Sequence, residues 1–317
     1  MTTNKPSNWQ QSITGEWHGF PSIFDPEGNH VGYNKVYRSS IYENGITTYY
    51  MDTRVEAIGQ LRARFEAQKF AFGVKDSDKD RIYLGPDFIG AGHPHGALVD
   101  AHYYGPGWTS DLRTMVHVVG DTQIYSSLLF DGPTLNGVFN GIYKVAYDYH
   151  ENAETKARID AFVESERPNG TKPHILPQKH AGVWRGEMEV YSHDQERLGV
   201  NQVEMHYTPL DLLRAEMDVR VSGVMERGWK FGRTRNGYRH HFTGPDVFGS
   251  SMAYGRALYT SQHFYGESLK IKGREFIIDD DYTMSVVWQF FASDRKLYTT
   301  FGLLKWEEGD EVLRPKY

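Results

Sequence analysis

Apolar and polar side chains alternate with period two along most of this chain. Between Gly96 and Tyr104, Leu98, Asp100, His102 and Tyr104 fall on one face, and Ala97, Val99, Ala101 and Tyr103 on the other. That is the pattern of a β-strand, whose successive side chains point to opposite sides. Residues 282–292 and 297–306 read as consecutive strands around the turn at Ser293–Asp294–Arg295. Turn signals recur at 26–29, 42–45, 85–87 and 293–296, and together they predict an antiparallel meander, sandwich or barrel. Residues 151–168 carry the helical period instead, with Ile159, Phe162 and Val163 on one stripe and Pro168 as the stop. A second helical pattern over 55–70 has a counterpart in the other half of the chain that reads as strand and turn, so strand is expected there. The Pro/Gly-rich stretch 170–178 marks a domain boundary.

The N-terminal half returns in the C-terminal half, in the same order. GEWHG (15–19) reappears as GVWRG (182–186), and Gly32 and Asn34 as Gly199 and Asn201. DTRV (52–55) returns as DVRV (218–221), and GPDFIG (85–90) as GPDVFG (244–249). HYYG (102–105) returns as HFYG (263–266), and NGIYK (140–144) as FGLLK (301–305). This period far exceeds the roughly 20–50 residues of a solenoid unit. A whole domain is duplicated. The expected architecture is all-β, with two tandem antiparallel barrels over residues 8–170 and 178–312 and the helix 151–168 connecting them.

Composition narrows the function classes. The 317 residues include no cysteine, which excludes disulfides, thiolate metal sites and cysteine nucleophiles. A net charge of −6 without a basic block argues against nucleic-acid partners. No apolar run is long enough to span a bilayer and the first residues show no signal-peptide core, so a soluble, cytoplasmic protein is expected. The 21 tyrosines and 32 glycines suit many strands with tight turns, and also aromatic-lined cavities. No dinucleotide fingerprint, P-loop, nucleophile elbow or HExxH motif appears.

The Gly-x-Trp that opens each copy, followed by strands ending in a basic residue, resembles the lipocalin (calycin) pattern. The matching residues are Trp17 and Trp184, with Lys144 and Lys305 where lipocalins usually carry Arg. Two such copies in one cysteine-free chain are similar to the two-domain lipocalin-like group that includes hydroxyneurosporene synthase and several natural-product cyclases. The resemblance implies lipocalin-like barrels, a Trp plugging each barrel end against a basic side chain, and action on a polyene or terpenoid-like molecule without metal or redox cofactor.

The densest chemistry lies at 90–105. His93 and His95 flank Pro94 in a Gly-rich stretch that reads as a turn, and Asp100, His102 and Tyr104 share a strand face. The second copy keeps His263 and Tyr265 but has Tyr254 for His95 and Ser261 for Asp100. Residues kept in one copy only are the better functional candidates. On that ground His95, Asp100 and His117 outrank the duplicated residues; the candidate acid–base group is His95, Asp100 and His102, since a histidine oriented by a carboxylate in an apolar cavity moves protons near neutrality. A structural reading, in which His102 and His263 simply bond a Tyr or a carbonyl, stands beside it. A metal held by His93, His95 and His102 or His117 is a further alternative, without a supporting Glu in a familiar spacing, and no metal is expected. Trp17, Asn34, Arg54, Tyr104, His117, Tyr254, His263 and Tyr265 are candidates for lining the ligand site. Asp52–Arg54 and Asp218–Arg220 read either as carboxylate receptors or as surface ion pairs. Arg239–His240–His241 reads as a cap on an exposed strand end, and 132–137 and 222–228 as mouth loops. The functional expectation is a cofactor-independent cyclase, isomerase or hydratase for a hydrophobic small molecule, or else a non-catalytic carrier for a pigment, lipid or terpenoid.

Overall fold

Alternating stretches become ten-stranded rings in both halves. The computed structural model describes residues 5–58, 67–105 and 110–312, in two units that divide between Lys172 and Pro173. In the first unit the strands are β1 (Glu16–Gly19), β2 (Ser22–Phe24), β3 (His30–Glu43), β4 (Ile46–Ala57), β5 (Ala67–Lys75) and β6 (Arg81–Leu84). They continue as β7 (Ile89–His95), β8 (Leu98–Gly105), β9 (Ser110–Val119), β10 (Thr122–Asp131) and β11 (Thr134–Ala146). Each of β3 to β11 pairs antiparallel with the next, and β1 and β2 both pair with β3 and with β11, so the ring closes through them. β1 and β2 act as one strand interrupted at Phe20–Pro21, as expected of a proline that lacks the ladder donor. The interruption needs a glycine opposite, because a Cβ on Gly141 would lie 2.5 Å from the Pro21 Cα. The repeat keeps this glycine as Gly302, where a Cβ would lie 2.0 Å from the Glu187 carbonyl oxygen.

The second unit is a closed barrel of β12 (His180–Ser192), β13 (Arg197–Pro209), β14 (Arg214–Gly223), β15 (Arg227–Asn236) and β16 (Arg239–Thr243). It is completed by β17 (Val247–Tyr254), β18 (Ala257–Phe264), β19 (Leu269–Ile277), β20 (Met284–Ala292) and β21 (Arg295–Val312). Pair for pair it repeats the first ring. Trp17 faces Arg38 and Val145, and Trp184 faces Met205 and Trp306.

The register corrects two of the sequence matches. His102 pairs with Ala91 and Arg113, and the same place on β18 holds Ser261; His263 stands where Tyr104 stands. Likewise Asp52, opposite Tyr37, occupies the place of Arg220, opposite Glu204. A shift of two residues preserves the face, so short motifs slide along a strand without disturbing the barrel. Neither match marks a shared station.

Helix α1 (Asn8–Ser12) precedes β1. Its Trp9, 4% exposed, enters the core of the first barrel, and Leu176, ahead of β12, does the same in the second. The long helix α2 (Ala153–Asn169) starts at Asn152, whose side chain accepts from the backbone N–H groups of Glu154 (3.0 Å) and Thr155 (3.3 Å). It runs one residue past Pro168. Its Ile159 and Val163 bury against Phe20 and Ala146, so the predicted stripe is the face that packs on the first barrel. Residues 59–66, the middle of the ambiguous 55–70 stretch, lie outside the described residues; β4 ends before them and β5 begins after them. Among the described residues no helix is long and apolar enough to cross a membrane.

Three further expectations are corrected. The His93–Pro94–His95 run belongs to β7, and the turn is at Gly96–Ala97, because Pro94 costs no bond where its missing N–H faces no partner. His240 does not cap an exposed end; alternation on β16 turns it inward, 2% exposed, with Arg239 and His241 outward. The 132–137 and 222–228 segments are partly strand, since β11 begins at Thr134, β14 runs to Gly223 and β15 begins at Arg227, and what joins the strands is the turn at Gly132–Pro133 and the connection 224–226.

Candidate functional site: the interior of the first barrel

Residues from distant strands meet only inside a barrel, and this identifies the inner faces. Tyr49 (β4), Phe72 and Val74 (β5), Tyr83 (β6), Val99 and Ala101 (β8) and Val116 and Val118 (β9) form one buried cluster. Hence Val99, Ala101 and Tyr103 face the interior of the first barrel. Leu98, Asp100, His102 and Tyr104 share one face, as the alternation predicts, but it is the opposite one.

The interior mixes rings with polar groups. Arg38 on β3 donates from Nη2 to Gln123 Oε1 on β10 at 2.7 Å, and its guanidinium lies 5.8 Å from the Tyr49 ring centre. Gln123 is 1% exposed and its Nε2 has no hydrogen-bond partner. Arg38 makes no ion pair among the described residues. Further along β9 and β10, Thr114 and Ser127 share a 2.8 Å hydrogen bond. Tyr83 and Tyr103 pack at 4.7 Å, Phe88 and Tyr103 at 5.8 Å, and Tyr125 and Tyr143 at 5.3 Å. Burial pushes Tyr49 up to about 12, against the opposing pull of the Arg81 and Arg38 guanidinium groups. Burial likewise raises Tyr83, Tyr103 and Tyr143, so these phenols remain protonated.

One end of this interior is sealed by a buried network under α1. Tyr49 donates to Gln10 Oε1 at 2.8 Å, and Arg81, wholly buried, reaches Tyr49 Oη at 3.0 Å and Gln10 Oε1 at 3.1 Å. Arg81 also pairs with Asp76, whose carboxylate accepts from Ser7 N (2.8 Å) and Ser7 Oγ (2.7 Å). The second barrel has its own network there. His240 stands at the place of Arg81 and accepts from Arg233 Nε at 2.9 Å, and Glu275 lies 3.5 Å from His174 and 3.7 Å from Arg233.

Elsewhere the two interiors differ. The second carries buried apolar side chains at a set of stations that the strand register matches to the first, while buried Gln262 and Thr260 stand at the places of Tyr103 and Ala101. Arg38 corresponds to Met205, Met51 to Val219, Phe70 to Trp229, Phe88 to Val247, Leu112 to Ile271 and Tyr125 to Val286. In every pair the second-barrel residue is buried and the first-barrel residue half-buried. Ser127 and Thr114 correspond to Trp288 and Gly273, a large ring seated over a glycine. At these stations the interior side chains of the first barrel are therefore the more exposed.

The residues singled out in the sequence do not converge there. His102 is exposed and lies 2.6 Å from the Asp111 carboxylate; His93 lies 3.4 Å from Asp80. His95 and His117 are buried and flank Leu98 in one row across β7, β8 and β9, on the face turned away from the interior; burial lowers His117 to about 4. Asp100 is half-buried and Tyr104 exposed on that same side. Arg54 is exposed, and its neighbour Asp52 pairs with Lys69 at 2.9 Å. Asn34 points inward near the closure, and its repeat Asn201 accepts from Met225 N at 3.0 Å. In the second barrel Tyr254 is buried at the end of β17, while His263 stacks on Phe248 at 5.3 Å and Tyr265 packs 5.0 Å from the same ring. Among the described residues no three His, Asp or Glu gather as a metal site.

The Trp expectation holds for burial and changes for its partner. Trp17 and Trp184 are 1% and 0% exposed, but Trp17 Nε1 donates to the Ile13 carbonyl (2.9 Å) and Trp184 Nε1 to that of Tyr282 (2.9 Å). Lys144 sits one residue off the Trp17 row, on the other face, and pairs with Asp121 at 2.8 Å. Lys305, opposite Arg185, is likewise outward, and Trp306 covers Trp184 at 4.4 Å.

Comparison with known proteins matches the fold. No family model matches the chain, and no curated protein does. Among solved structures, a DUF3598-family protein of unknown function from Nostoc punctiforme is similar at 13% identity and a TM-score of 0.59, covering 96% of this chain and 100% of that one. The likeness is one of architecture. A porin of Rh. blastica (5% identity, TM-score 0.20, covering 92% and 99%) and Salmonella typhi OmpF (6%, 0.18, 92% and 96%) are matched too weakly to carry an argument.

Proposed function

We propose that the chain binds a hydrophobic small molecule inside its first barrel and uses the second as a packed scaffold. The observation that carries this reading is the matched set of stations that are half-buried in the first ring and buried in the second. A duplicated barrel that kept packing as its only constraint would fill both lumens, because interiors pack to crystal-like density. An aromatic-walled interior with a few polar groups is the usual make-up of a small-molecule site.

The test is mass spectrometry of the purified native protein, followed by extraction under denaturing conditions, together with uptake of the neutral probe N-phenyl-1-naphthylamine. The expected result is a stoichiometric apolar molecule, or saturable probe uptake where the protein emerges empty. Grafting the second barrel's filling, Ser127→Trp with Thr114→Gly, is expected to abolish uptake. A wild-type protein that neither carries a ligand nor takes up the probe would refute the reading.

A catalytic version of the same site, a cyclase, isomerase or hydratase, has one observation in its favour. The Tyr103 phenol, held protonated by burial, faces the lumen among the Tyr83 and Phe88 rings. Such rings steady a developing cation through their π faces. It predicts conversion and release of a polyene substrate, where a carrier retains its cargo unchanged.

A further inference from the structure

Arg38 and Gln123 give the interior of the first barrel a polar pole. The guanidinium is half-buried, bonds Gln123 Oε1 at 2.7 Å and has no carboxylate partner among the described residues. The Gln123 amide accepts that bond with its oxygen, and its nitrogen, in a side chain 1% exposed, donates to nothing. A buried donor left unmade costs free energy, and so does a cation drawn from water without a counter-ion. The second barrel shows that the fold does not require either group, since Met205 and Met284 stand in their places, both buried.

The other interior cation does not share this condition. Arg81 is neutralised by Asp76 and further bonded to Tyr49 and Gln10. Arg38 has donors to spare. Its planar fork matches two oxygens of a carboxylate, and the adjacent amide N–H supplies a further donor to the same group. Around this pole stand Tyr49, Met51 and Tyr125, which suit an apolar body.

We infer that the ligand is an amphipathic carboxylic acid, its carboxylate held by Arg38 and the Gln123 amide nitrogen and its hydrocarbon body lying among the rings of the first barrel. This rests on the proposed function and specifies the ligand class.

The test compares cis-parinaric acid with its methyl ester by fluorescence titration, with N-phenyl-1-naphthylamine as a neutral reference. Wild type is expected to bind the acid about tenfold or more tighter than the ester, in keeping with a charged hydrogen-bonded pair. Arg38→Met, the second barrel's residue, is expected to bind acid and ester alike while still taking up the neutral probe. Gln123→Met is expected to narrow the preference. Equal binding of acid and ester by wild type, with the neutral probe bound, would overturn the carboxylate and leave the cavity standing. A preference that survives in Arg38→Met would overturn the assignment to Arg38. Binding of none of the three compounds would overturn the proposed function itself. The acid–ester comparison on wild type needs no variant to fold.

Discussion

Gln123 on β10 and Met284 on β20 stand at the same position in their barrels, and the first leaves a buried amide nitrogen without a partner where the second leaves nothing unsatisfied. The neighbouring pair repeats the contrast, with Arg38 half-buried and polar and Met205 buried and apolar. The same strand order thus carries half-buried side chains at these stations in one barrel and buried ones in the other, and the difference lies in the side chains.

Replacing both polar groups together, Arg38→Met with Gln123→Met, is expected to stabilise the empty protein by about 1–2 kcal/mol, because an unmade buried donor and an unpaired cation are both removed. Urea denaturation checks this. A double variant less stable than wild type would show that the two groups are satisfied in the native state and do not await a ligand.

The Arg81–Asp76 pair behaves in the opposite way. Arg81→Met leaves a buried carboxylate that retains Ser7 as its donor but loses its counter-charge, and the expected cost is about 3–5 kcal/mol. Arg81→Met with Asp76→Asn is expected to recover a large part of that loss. A double-mutant cycle read by denaturant midpoint measures the coupling.

Acid should weaken the fold through its buried histidines. Burial lowers His18 and His117 to about 4, and burial together with Arg233 lowers His240 to about 2. A histidine depressed in the folded state adds stability that is complete above its unfolded pKa near 6.5 and is lost as pH falls toward the folded value. Stability is therefore expected to decline steadily from pH 6.5 to pH 4. For His117 alone the loss over that window is about 3 kcal/mol. His117→Phe, which places the Phe276 of the second barrel there, is expected to flatten the slope by that amount. An unchanged slope between pH 6.5 and 4 would rule this out.

Much of the architecture was legible in the sequence because strand alternation, the turns and the repeat all point the same way. The helix over 153–169 announced itself by the Ile159–Phe162–Val163 stripe, and the mistaken stop at Pro168 is one residue of end fraying. The candidate site was not legible. Alternation shows that Asp100 and His102 share a face but not which face is inside, and that depends on neighbours such as Val116 and Tyr49 far along the chain. Arg38 and Gln123 lie in no short motif, and Tyr103 lies in HYYG as the one residue there that the copies do not share. Their signal is a mismatch between the copies, visible only once pairing fixes that Arg38 stands with Met205. The sequence match that set His102 beside His263 was displaced by two residues, which hid such mismatches.

The outer position of His102 leads to the last prediction. Its ring is exposed and its partner Asp111 also receives Arg113 at 3.1 Å, so the trio is a surface ion cluster across β8 and β9. Such clusters contribute about 0–1 kcal/mol, since water solvates the separated charges nearly as well. His102→Ala is therefore expected to shift the denaturation midpoint by no more than that and to leave probe uptake by the first barrel unchanged. Tyr103→Leu, one residue away on the inner face, is expected to weaken uptake while the fold persists, because it removes a ring from the lumen wall. Alternation makes this neighbouring pair a control for each other. If His102→Ala impaired uptake more than Tyr103→Leu, the inner-face assignment of the site would be wrong, and the outer face around His102 would be where the ligand binds.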